Sequence, residues 1–266
     1  MYKKLRNHFT GVLTGKGLDY GGSLIRPEAT GFGAVYFVRE MLAEVGEELR
    51  GKRLAISGFG NVAWGVALKA TQLGARVVAL SGPDGYVHVP DGITDEQVAY
   101  MLELRASNQD VIRPFAERFR VKYVEGRKPW ELPVDIAMPC AIQNEMDEAD
   151  VKQLIQNGCR LIAEVSNMGC TAQAVTLANR HLLFAPGKAV NAGGVATSGL
   201  EMSQNSMRLS WSREEVDARL LHIMRNIHRT CLLHGKMPDG RVDYVKGANV
   251  GAFIKVAEAM MAQGIV

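Results

Sequence analysis

Apolar positions along the chain fall into two alternating rhythms. Short apolar runs at Arg53 to Ser57, Arg76 to Leu80, Val121 to Val124, Val134 to Met138, Arg160 to Ala163 and Leu182 to Ala185 have the length and composition of strands. Helix-length stretches lie between them, near residues 61–73, 94–119, 147–157 and 171–180. Strand and helix in repetition predict an α/β fold of Rossmann-like, doubly wound type, with a mostly parallel sheet and flanking helices. Upstream, Pro27 sits at the favoured first position of a helical stretch running to about Leu49. Downstream, residues 191–206, 213–234 and 247–263 predict three helices, which form a C-terminal helical segment.

Composition narrows the class without changing that picture. The 266 residues are 47% hydrophobic and 22% charged, an ordinary globular balance with enough apolar material for a substantial core. The net charge of +3 is spread among both signs, with no basic run or aromatic interleaving to suggest a nucleic-acid partner. No apolar run approaches the roughly 18 residues of a membrane span, and no apolar stretch with a cleavage site follows Met1, so a cytoplasmic location is expected. Cys140, Cys159, Cys170 and Cys231 lack metal-ligand spacing and read as buried free thiols, with no metal site expected.

Candidate chemistry begins where the first predicted strand ends. Gly58, Phe59, Gly60, Asn61, Val62 and Ala63 fit G-x-G-x-x-A, with a strand before and a helix after. Gly58 permits a sharp turn, and Gly60 lets the backbone approach a pyrophosphate. Ala63 allows helix to pack closely on strand, and free amides at the helix start then meet the phosphate charge. Gly31 and Gly33 repeat the G-x-G spacing, but no strand precedes them, and they read as close-packing positions inside a helix.

The end of the second strand discriminates between the nicotinamide cofactors, because a ribose 2′-phosphate calls for Arg or Lys there. Ser81 stands at that position, followed by Gly82, Pro83 and Asp84, with no cation in the turn. Asp84 would repel a phosphate, so NAD is expected over NADP.

Several longer stretches carry a family resemblance. Gly21 to Gly31, Pro139 to Asn144, Ala185 to Val195, Ser198 to Asn205 and Gly247 to Asn249 resemble segments of the glutamate dehydrogenases, within the group acting on Glu, Leu, Phe and Val. The turn Ser81 to Tyr86 is similar to that of NAD-linked bacterial members. The resemblance implies that Arg26 and Thr30 border the nicotinamide carboxamide, with Asn61 beside the pyrophosphate along with Gly58, Phe59, Gly60 and Val62. It further implies that Ala141 and Asn144 approach the nicotinamide ribose and that Asn167 and Asn191 approach the nicotinamide end. Val195 and Ser198 would form the glutamate side-chain pocket. Taken alone, Thr30 or Asn191 reads equally well as a helix cap. One departure is visible: Gly169 stands where the family usually has proline after Asn-Met, which loosens that turn.

What the resemblance implies for activity is oxidative deamination of L-glutamate to 2-oxoglutarate and ammonia, in an assembly that is usually hexameric. A branched-chain or aromatic amino-acid dehydrogenase and a catalytically silent nucleotide-binding or regulatory chain are the alternatives. The family's lysine-bearing glycine-rich segment and its proton-transferring aspartate have no counterpart in this sequence, so the catalytic residues are unassigned here. Residues 1–20 would be a remnant of the preceding substrate domain, 21–242 the NAD-binding domain, and 243–266 a helix packing on that absent domain. The isolated chain is therefore expected to bind cofactor, turn over poorly and assemble incompletely.

Overall fold

A computed structural model describes residues 11–264. Seven strands form one sheet: β1 (Arg53–Ile56), β2 (Arg76–Gly82), β3 (Gly85–His88), β4 (Lys122–Glu125), β5 (Ile136–Met138), β6 (Leu161–Ala163) and β7 (Leu183–Ala185). Their order is β4-β3-β2-β1-β5-β6-β7. The pairs from β2 through β1 and β5 to β7 are parallel, whereas β2–β3 and β3–β4 are antiparallel. The helices are α1 (Ala29–Glu44), α2 (Asn61–Gln72), α3 (Asp95–Ala106), α4 (Arg113–Phe119), α5 (Glu148–Gln156), α6 (Ala172–His181), α7 (Gly187–Val190), α8 (Gly193–Met207), α9 (Arg213–Gly235) and α10 (Tyr244–Gln263).

The central strands are buried on both faces, which is why they read as continuous apolar runs rather than alternating ones. Leu54 and Ile56 of β1 face a core built on α1 and α2, while Ala55 faces a second core containing Val151 and Leu154 of α5 and Ala174 and Ala178 of α6. Helix α1 runs through the first core with Phe32, Val35, Phe37 and Val38 all buried. Its glycines explain how it fits. A Cβ on Gly31 would stand 2.3 Å from the Val66 amide nitrogen in α2, and one on Gly33 would stand 2.8 Å from the Gly193 Cα in α8. The G-x-G of α1 thus serves the close packing of neighbouring helices.

Two departures from expectation lie at the β4 edge, and the short helix α7, between β7 and α8, is a third. The turn after β2 is a hairpin: Gly82 pairs with Gly85 across Pro83 and Asp84, and the chain returns as β3. Pro-Asp-Gly is strong turn chemistry, but the strand after it, Gly85–His88, has only Tyr86 and Val87 between a glycine and a histidine and so does not read as an apolar run. The 94–119 stretch divides into α3 and α4, with Asn108 in the left-handed region and Pro114 near the start of α4. Proline tolerates a helix start but not an interior.

The four cysteines are free and buried. Burial pushes the Cys159 thiol up to about 12 and Cys231 to about 11, so both are inert under ordinary conditions.

Candidate functional site

The sheet order reverses at β1. From its carboxyl end the chain leaves for α2 and β2 on one side, while β5 lies on the other. In open α/β sheets a ligand crevice forms outside the strand ends at such a switch point.

The fingerprint turn lies there. Gly58 has φ +91°, and a Cβ on it would stand 3.0 Å from the Ala141 Cα and the Cys140 carbonyl, so only glycine suits the position. Gly60 has an ordinary extended backbone, and a Cβ on it would meet nothing within 4 Å. Open space faces this residue, and no side chain caps the N-terminus of α2. Uncapped first-turn amides beside open space have the geometry of an anion site, which fits a pyrophosphate group. Phe59 is buried beneath the turn, Val62 is half-buried against α1, and Ala63 is fully buried. Asn61 is exposed at the helix start and accepts a long hydrogen bond from the Trp64 indole at 3.4 Å.

Ser81 and Asp84 are placed differently from one another. The Ser81 Oγ accepts the Gly58 amide at 3.2 Å, which ties the end of β2 to the fingerprint turn. Asp84 is turned into the protein. Its carboxylate accepts the Ile112 amide at 2.8 Å and the Arg113 amide at 3.0 Å, and the Tyr123 hydroxyl donates to it at 3.2 Å. The Asp84 carboxylate therefore holds the start of α4 against the hairpin and is not a free group in the crevice.

Across β1 lies the loop after β5. Ala141, Ile142, Gln143 and Asn144 are exposed, and Asn144 sits at φ +55° with its amide donating to the Met168 carbonyl at 2.8 Å. Two side chains not singled out from the sequence hold this loop down. The Ser57 Oγ accepts the Cys140 amide at 2.9 Å, and the Glu145 carboxylate accepts the Ala141 amide at 2.8 Å. Burial pushes the Glu145 carboxyl above its usual range, opposed by the Ser57 hydroxyl, the Ala141 and Ile142 amides and Lys128. No spacing rule marks either residue, since one ends an apolar strand and the other precedes a helix cap.

The third wall comes from the ends of β6 and β7. The Asn191 Nδ2 donates to the Asn167 Oδ1 at 2.7 Å, so these two candidates form a pair. Beneath them Glu164, 4% exposed, accepts the Cys170 and Gly187 amides at 2.8 Å each and ties the two strand ends together. Gly169 packs closely enough that a Cβ would stand 2.7 Å from the Ser166 Oγ.

Arg26, Thr30, Val195 and Ser198 gather where α8 crosses the start of α1. The Arg26 Nε donates to the Ser198 Oγ at 2.9 Å, and a Cβ on Gly194 would stand 2.4 Å from the Thr30 Oγ1. Arg26 follows Ile25, which is buried at φ +66°, a costly conformation for a β-branched residue. Val195 is 73% exposed and is therefore a surface residue, not a core valine. Among the described residues no group of three or more His, Cys, Asp or Glu is placed to hold a metal. No described helix is long and apolar enough to cross a membrane.

Strand order, switch point and fingerprint turn define the class as a doubly wound α/β protein of the Rossmann type. The family model for Glutamate/Leucine/Phenylalanine/Valine dehydrogenases matches residues 21–264, and the chain belongs to that family. The NAD-specific glutamate dehydrogenase of Bacteroides fragilis is 60% identical over 268 residues, covering 100% of this chain and 60% of that protein. The NADP-specific enzyme of Escherichia coli is 51% identical over 267 residues, again covering 100% and 60%. Among solved structures, a Plasmodium falciparum glutamate dehydrogenase superimposes with TM-score 0.96 at 41% identity, covering 100% of this chain and 57% of its own. The chain spans about 60% of the length of the curated relatives it matches and corresponds to their C-terminal portion.

Proposed function

We propose that this chain is the coenzyme-binding part of an NAD-linked glutamate dehydrogenase. The observation that carries this reading is Gly60, whose missing side chain leaves open space before the uncapped start of α2. Residues 58–62 would hold the pyrophosphate there. Ser81 would face the adenosine ribose, and Ala141, Asn144, Asn167 and Asn191 the nicotinamide half. A nicotinamide held there would supply the hydride acceptor for the α-carbon of glutamate, and hydrolysis of the imine so formed would give 2-oxoglutarate and ammonia. In this reading the chain contributes Arg26 and Thr30 beside the nicotinamide, with Val195 and Ser198 lining the side-chain pocket.

NAD is favoured over NADP because no cation stands between Ser81 and Gly85 to receive a 2′-phosphate. Asp84 contributes negative charge to the region, although its carboxylate points inward. The 60% identity to an NAD-specific relative, against 51% to an NADP-specific one, supports the same preference.

Hydride transfer also requires the substrate to be oriented and protons to be moved, and acid–base help alone is worth about 10²–10⁴-fold. Among the described residues, the crevice carboxylates Glu145 and Glu164 are buried and held by main-chain amides. The test is a rate assay with the purified chain, glutamate and NAD, followed by near-ultraviolet absorbance. Little or no turnover is expected from the chain alone. A robust rate would mean that this chain itself carries the catalytic groups and would overturn the reading.

A further inference from the structure

We infer that Glu145 is a positioning residue for the nicotinamide half of the bound dinucleotide, acting through the loop that it anchors. The inference rests on the proposed coenzyme function and assigns a role to a buried carboxylate which that function leaves unexplained.

Four consecutive residues, 141–144, are exposed at the mouth of the crevice, yet the residue that follows them is only 8% exposed. A carboxylate is rarely buried without partners, and each partner of this one belongs to the crevice wall. The Ala141 amide donates to it at 2.8 Å. The Ile142 amide and the Ser57 hydroxyl lie beside it. Ser57 in turn accepts the Cys140 amide at 2.9 Å, so the end of β1 and the loop after β5 are bound to one another through two side chains. Lys128 donates to the Glu145 main-chain carbonyl, fixing the same residue from behind.

The loop so held presses on the fingerprint, with the Ala141 Cα 3.0 Å from where a Cβ of Gly58 would stand. A dinucleotide lies across a switch point with its pyrophosphate on the fingerprint and its adenosine toward β2. The β5 side therefore receives the nicotinamide half, and the height of residues 141–144 sets the space that this half can occupy. Glu145 touches none of the reacting atoms. It fixes the surface against which they rest.

The adenosine half can be probed separately with ADP. Titration of the 266-residue chain should show that Glu145→Ala weakens NAD by about tenfold or more, while ADP affinity changes by less than about twofold. Glu145→Gln, which keeps one accepting oxygen, should fall between Ala and wild type. Hydrogen exchange of residues 140–144 should speed up in the same order, while that of α5 stays unchanged. If Glu145→Ala folds poorly, Glu145→Gln and Ser57→Ala carry the same comparison. Parallel losses for NAD and ADP would reduce Glu145 to a structural role and overturn the inference, as would unchanged NAD affinity. A wild-type chain that binds no NAD would instead overturn the coenzyme function itself, and the inference with it.

Discussion

Gly58 and Gly60 are two residues apart, and physics asks different things of them. Gly58 needs glycine for the fold, because its φ is +91° and Cys140 and Ala141 crowd its α-carbon. Gly60 has an ordinary backbone and no neighbour, so the fold alone would accept a side chain there. Gly58→Ala should therefore lower stability by about 1–2 kcal/mol, whereas Gly60→Ser, which keeps a good N-cap at the start of α2, should leave it within about 0.5 kcal/mol. Chemical denaturation of the two variants checks this, and equal losses would contradict it. The sequence made both glycines visible through their spacing, and it also brought Arg26, Thr30 and Ser198 into view through family resemblance. It could not reveal that Asp84 points inward, because a turn aspartate looks the same whether it serves a ligand or caps a neighbouring helix. Ser57 and Glu145 were likewise hidden, since their partners are backbone amides more than 80 residues away in one case and locally buried in the other.

At the scale of elements, the parallel half of the sheet was legible because buried parallel strands are unbroken apolar runs between helices. The antiparallel edge was not. Strand β4 is only partly buried, and pairing direction is set by a two-residue turn rather than by apolar pattern. The junction of α1, α9 and α10 adds a feature that periodicity does not expose. His228 of α9 is buried with its Nε2 3.0 Å from the Tyr244 hydroxyl of α10, and its ring packs edge-on against Phe37 of α1. Burial holds the imidazole below its ordinary range, offset in part by Glu40 and Glu44. Its folded pKa is thus lower than its unfolded value near 6.5, and the unfolded chain binds more protons between the two. The stabilisation is fully present above the unfolded pKa and is lost as pH falls toward the folded one. Thermal melts from neutral to mildly acidic pH should show the wild type losing stability, with a shallower loss in His228→Gln. Identical slopes would show that His228 does not couple α9 and α10 to pH.

Helix α10 packs so tightly on α9 that a Cβ on Gly247 would stand 2.0 Å from the Cys231 carbonyl. Its far side carries Phe253, Val256, Met260 and Met261, each at least 59% exposed. Such a patch tends to drive association or seek cover. Dye-binding and concentration-dependent sedimentation should reveal a sticky protein, and Phe253→Lys with Met260→Lys should relieve the association without lowering the melting temperature. A clean monomer that binds no hydrophobic dye would contradict this. The measurement that bears most directly on the coenzyme function is a calorimetric titration of the chain with NAD and NADP, alongside Gly60→Val. Saturable binding of NAD, weaker binding of NADP and loss of both in Gly60→Val are expected. No NAD binding by the folded wild-type chain, or undiminished binding by Gly60→Val, would contradict the assignment of the fingerprint turn as the pyrophosphate site.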